Sequence, residues 1–176
     1  SSSSYYGVDT IIDQGLMSLS DTKVSLKNLQ GFLSYRDERG LFSPSLKGDI
    51  FGAPFVASLE TLEKDLSVEM HGGLDMSSLV KLLELPSDKV LKGKADFMAT
   101  LLVPLESPSS PIRLNVKTDM RGATINLPEP FGKKANVQEN VEVNIIFADA
   151  MDLQVDMGGL VRSHLELKKG SVVRGV

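Results

Sequence analysis

Histidine, serine and aspartate are the side chains here whose types could do chemistry, and their spacing argues against it. The two histidines, His71 and His164, each fall on the polar side of an alternating segment and read as exposed or hydrogen-bonded surface residues. Ser163 directly precedes His164, so in an extended chain the two side chains leave opposite faces and cannot share a proton. Asp149, Asp152 and Asp156 supply carboxylates for a cation. Their loop lacks the glycine and closing glutamate of a calcium loop, so they read as a solvated turn. Gly72-Gly73 and Gly158-Gly159 each follow an alternating strand and read as bulges or turns, not as phosphate cradles. With no cysteine in the chain, thiol catalysis and disulfides are excluded. The expectation is a protein that is not an enzyme, with no cofactor and no bound metal.

What remains is a pattern of apolar side chains and the elements that present it. At 176 residues, 41% hydrophobic and 24% charged, the chain has the balance of a folded domain with a substantial core. A formal net charge of −4 argues against nucleic acid as a partner, and against docking on an anionic membrane through a basic patch. The longest apolar run, 97–105, is broken by Thr100 and Pro104 and falls short of the roughly 20 residues that span a bilayer. Residues 1–6, opening on four serines, read as a frayed or appended tail. Residues 7–176 read as a single β-rich segment cut from a larger protein.

The clearest strand begins at Ile112. Ile112, Leu114 and Val116 point one way, while Arg113, Asn115 and Lys117 point the other, the period of a sheet with one apolar and one solvated face. The same alternation recurs in Leu66, Val68 and Met70, then in Phe97 and Leu101. It returns in Val141, Val143 and Ile145, and again in Leu153, Val155 and Met157. These spacings predict strands near 24–35, 42–60 (two strands, divided by Gly48 and Gly52), 66–72, 94–103, 112–127, 141–147, 153–157 and 163–168. Charged or glycine-bearing turns fall between them, at 36–40 and 63–65 for example, as in an antiparallel meander. Residues 5–20 fit a short helix or a bent strand equally well. One segment has apolar residues at three- and four-residue spacing. It predicts a single amphipathic helix within 75–85, capped by Asp75 and stopped by Pro86. The seven methionines read either as core gap-fillers or as a pliable lining for irregular acyl chains.

The run TDMRGATINLPEPFGKKA, 118–135, resembles a recurrent block of the YhdP-type, AsmA-like envelope proteins of Gram-negative bacteria. Asp119, Gly122, Leu127, Pro128, Pro130, Gly132, Lys133 and Ala135 stand at the block's positions, with Met120 where leucine is usual. GDIFGAPFVASLE followed by LSVEMHGGLDMSSLVKLL is similar to the strand–strand–short-helix unit that precedes that block, and LELKKGSVVRG to its later strand and turn. The resemblance implies an elongated, curled antiparallel sheet with an open apolar groove. It also implies a periplasmic location within an inner-membrane-anchored chain, and conduction of phospholipid between inner and outer membranes. No catalytic residue or cofactor belongs to that picture.

Two functions are therefore expected to compete. In the first, Leu66, Val68, Met70, Phe97, Leu101, Ile112, Leu114, Val116, Val141, Val143, Ile145, Leu153, Val155 and Met157 line a groove for phospholipid acyl chains. Neighbouring segments of the same chain then pair with both sheet edges, and membrane contact is made only by parts outside this segment. In the second, the same side chains fill a closed β-sandwich core, and the segment is a structural or assembly module of the envelope.

Overall fold

A computed structural model describes residues 6–18, 25–82, 89–107, 110–129, 131–148, 151–159, 161–168 and 171–175. The chain is built almost wholly of strands: β1 (Gly7–Ser18), β2 (Ser25–Arg36), β3 (Gly40–Ile50), β4 (Ala53–Leu62), β5 (Asp65–Asp75), β6 (Leu91–Pro104), β7 (Ile112–Thr118), β8 (Ala123–Ile125), β9 (Val141–Phe147), β10 (Met151–Met157), β11 (Val161–Lys168) and β12 (Ser171–Gly175). One helix, α1 (Met76–Leu82), lies between β5 and β6. The strands form one antiparallel sheet in chain order, with β1 and β12 at its two edges and the short β8 beside β6. Apart from β8, each strand pairs with the next along the sheet, so the fold is a meander; β5 reaches β6 through α1, and β7 reaches β9 across the loop that carries β8.

The ambiguous residues near the start form β1, a strand with a bend. Its register with β2 shifts on either side of Gly15, next to Gln14 at φ 56°. β2 is irregular at its glycine: Gly31 has φ 151°, and the β2–β3 register shifts on both sides of Gln30–Gly31. The 42–60 stretch turns at Phe51-Gly52, both with positive φ, and not at Gly48, which pairs with Phe55 inside the β3–β4 ladder. The strand expected over 112–127 is broken: β7 ends at Thr118 and pairing resumes only at Ala123. The cause is local. Met120 and Gly122 take left-handed φ of 53° and 91°, while the Asp119 carboxylate accepts the N–H of Arg121 and the Thr118 hydroxyl that of Met120. Short polar side chains thereby satisfy backbone groups that a ladder would otherwise take.

The helix starts as its cap residue requires. Asp75 Oδ1 accepts the N–H of Ser77 at 2.9 Å and of Ser78 at 3.4 Å, and also the Ser77 hydroxyl at 2.6 Å. These bonds, that of the Ser77 side chain foremost, hold the Asp75 carboxyl below its ordinary range. Pro86, the expected stop, lies outside the described residues.

Candidate functional site

Cross-strand register decides which side chains share a face. Leu59 of β4 pairs with Val68, Val68 with Leu101, Leu101 with Leu114, Leu114 with Ile145, and Ile145 with Leu153. A parallel row one step away runs Ala57, Met70, Ala99, Val116, Val143 and Val155. On the other side of the first row, Leu66 pairs with Val103, while Ile112 pairs with Phe147 and Phe147 with Met151. Val141 sits opposite Met157, and Phe97 opposite Gly72. All fourteen residues singled out by alternation therefore lie on one face of one sheet.

That face has two regions. Near the C-terminal end of β5 it is covered. Leu74, Met76, Ala95, Phe97, Met120, Ala123 and Ile125 form a buried cluster with Phe55 and Ala57 of β4, and Met76 is wholly inaccessible. Phe97, 6% exposed, is thus closed in by its own chain and is no part of the open surface. Val68, Met70, Val116, Val141 and Met157 pack against the cluster's border while staying half-buried. Beyond that border Leu66, Leu101, Leu114, Val143, Ile145, Leu153 and Val155 are also half-buried, and Ile112 is exposed at the margin. No second sheet covers them among the described residues.

The cover is made by α1, through Met76 and Leu79, and by the 118–135 run. Ile125 and Lys133 exchange both backbone hydrogen bonds at 2.9 Å, folding the proline-bearing turn back on itself. The side chain of Lys133, only 8% exposed, donates from Nζ to the carbonyls of Met120 at 2.6 Å, Ala123 at 2.7 Å and Lys134 at 3.1 Å. Burial pushes its ammonium below the ordinary lysine range, opposed by the charges of Asp119 and Glu139. Gly122 approaches β6 so closely that a Cβ would stand 2.4 Å from the Lys94 carbonyl. The sequence singled out this block by its residues, Lys133 among them, but not the burial of that lysine. An ammonium among backbone carbonyls leaves no periodic signal.

The opposite face is largely polar, and several of its charges are paired. Asn115 donates to Glu142 at 2.6 Å and to Asn144 at 2.7 Å, Lys117 lies 3.5 Å from Glu142, and Arg162 lies 2.8 Å from Asp156. His164 sits 2.9 Å from Asp152, and His71 is exposed. A broad depression of about 1200 Å³ spans His71, Met98, Lys117, Glu142 and Asp156. Asp156 also accepts the N–H of Gly159, as a turn residue does, and Asp149 lies outside the described residues. Among the described residues no three His, Cys, Asp or Glu side chains gather as a metal-ligand set. The methionines fall in three environments. Met76 and Met120 are core, Met70, Met151 and Met157 lie on the apolar face, and Met98 stands 70% exposed on the polar one.

One family, described as YhdP protein, matches residues 8–175, nearly the whole chain. The chain belongs to the YhdP family. No curated protein and no solved structure matches it. Membership makes it an envelope-associated protein, and the open antiparallel sheet with one short helix is the fold expected of a YhdP-type chain. None of the described helical residues forms a span long and apolar enough to cross a membrane.

Proposed function

We propose that this YhdP segment carries phospholipid acyl chains along the open apolar face of its sheet, as part of a periplasmic conduit between the inner and outer membranes. The observation that carries the reading is the unbroken row Leu59–Val68–Leu101–Leu114–Ile145–Leu153, aliphatic throughout, half-buried and covered by no second sheet among the described residues. Moving a tail of about sixteen carbons through water costs roughly 12 kcal/mol at 0.8 kcal/mol per methylene. A continuous apolar strand face offsets that cost without specific polar contacts, so a lipid can move from strand to strand. The lining suits sliding: of the row's six residues none is aromatic, and the chain has no tryptophan. An apolar strand face left half-buried without a covering layer marks an interaction site.

The test is Leu114→Asp, read by melting temperature and by mass spectrometry of extracted lipid on the same sample. On an open face the aspartate meets water in the empty protein, so the variant stays folded and loses its co-purified phospholipid. If Leu114 were packed in a closed core, an unpaired buried carboxylate would cost several kcal/mol, comparable to a domain's whole stability, and the variant would unfold. A folded variant with undiminished lipid would defeat the assignment, and wild-type protein free of lipid would favour the assembly module.

A further inference from the structure

The two margins of the apolar face are unlike. One is filled by the protein's own side chains, Phe97, Met120 and Ile125 among them, and Val116, Val141 and Met157 pack against that fill. The other ends in loops, where Lys64 of the β4–β5 turn lies 2.9 Å from Glu106 beyond β6, with both side chains well exposed. The backbone N–H of Leu105 donates to the Lys64 carbonyl at 2.8 Å, so the two loops are tied together at this rim. Between rim and fill, each central strand offers three inward positions: Val103, Leu101 and Ala99 on β6, and Ile112, Leu114 and Val116 on β7.

Three inward positions span four residues, about 14 Å at 3.4 Å per residue. One leaflet of a bilayer's hydrocarbon core is about 15 Å deep, half of roughly 30 Å. The open strip therefore has the depth of a single layer of acyl tails. Resting on the lipid reading above, we infer that the face holds diacyl phospholipid as a leaflet does. The tails lie along the strands with their methyl ends against the Phe97–Met120 fill, and the headgroup leaves over the Lys64–Glu106 rim. A polar headgroup has no place at the filled margin, where it would be buried without water. The rim pair offers one cation and one anion to solvent, which complements a zwitterionic headgroup: its phosphate toward Lys64, its amine toward Glu106.

The chain has no cysteine, so single reporter sites are clean. A bimane is attached at Leu105→Cys on the rim, or at Asn140→Cys, next to Val141 at the border of the fill; both residues are exposed. Each labelled protein is loaded with phosphatidylcholine bearing a nitroxide either on its headgroup or at a tail end. The headgroup nitroxide is expected to quench the Leu105 site at least twofold more than the Asn140 site, and the tail-end nitroxide to reverse that order. Equal quenching at both sites by both lipids, or the opposite order, would overturn the orientation while lipid binding stands. Quenching by neither lipid at either site would overturn the orientation and the lipid reading together.

Discussion

Lys133 Nζ lies 2.6 Å from the carbonyl oxygen of Met120, thirteen residues earlier, and through it the buried ammonium ties the turn after β8 to the break after β7. This contact explains why a lysine sits inside an apolar cluster: it satisfies carbonyls that the left-handed residues at 120 and 122 turn away from any ladder. Lys133→Met keeps the volume and removes the donor. The Ala123 carbonyl then loses its Nζ partner in a buried place, and a loss of about 2 kcal/mol is expected. Urea denaturation should show a lower midpoint with an unchanged slope.

Gly93 and Gly122 meet where β8 joins β6. A Cβ on Gly93 would stand 2.2 Å from the Gly122 carbonyl, and one on Gly122 would stand 2.4 Å from that of Lys94, both at φ 91°. Each alanine substitution is expected to destabilise by about 1–3 kcal/mol. Because both strain one junction, the double variant should cost less than the sum of the two. A thermal double-mutant cycle measures this, and strict additivity would mean that the glycines act separately.

The helix cap carries a pH signature. Asp75 has its carboxyl held below the ordinary range by Ser77, so its stabilisation is full above the unfolded pKa of about 3.9 and is lost as pH falls through the depressed value. Asp75→Ala is expected to cost about 1 kcal/mol near pH 7. Its difference in melting temperature from wild type should shrink as pH falls below about 3.9. Asp75→Asn keeps a capping oxygen without the titration and should show a smaller deficit at neutral pH.

Ser43 of β3 is wholly inaccessible, and its hydroxyl has no hydrogen-bond partner among the described residues. An unsatisfied buried hydroxyl costs free energy that a methyl does not. Ser43→Ala is expected to leave stability unchanged or raise it by about 1 kcal/mol, read as a higher melting temperature. A clear drop would reveal a partner for that oxygen.

The sheet was legible in the sequence because alternation is a direct print of one-sided burial. Leu114 between Arg113 and Asn115 already states its face, and register then joins it to Leu101 and Ile145. The cap on α1 was legible for a similar reason, since Asp75 acts on its own next turn. The covered end of the face was not. Phe97 alternates as faithfully as Leu101, and the packing of α1 and of Met120, Ala123 and Ile125 around it makes one core and leaves the other open. The break at Asp119–Gly122 was passed over although it leaves a trace: Ile112, Leu114 and Val116 stand at even positions, Ala123 and Ile125 at odd ones, a slip that a continuous strand would not make.

The most direct test of the open apolar face uses a photo-reactive phenylalanine analogue placed singly at Leu114, Ile145, Asn115 or Asn144 in the full-length protein, irradiated in intact cells. Leu114 and Ile145 face one way and Asn115 and Asn144 the other, on the same two paired strands. Phospholipid adducts at Leu114 and Ile145, with none at Asn115 or Asn144, are the expected result. Adducts on neither face, or equally on both, would contradict an apolar lipid path on this sheet.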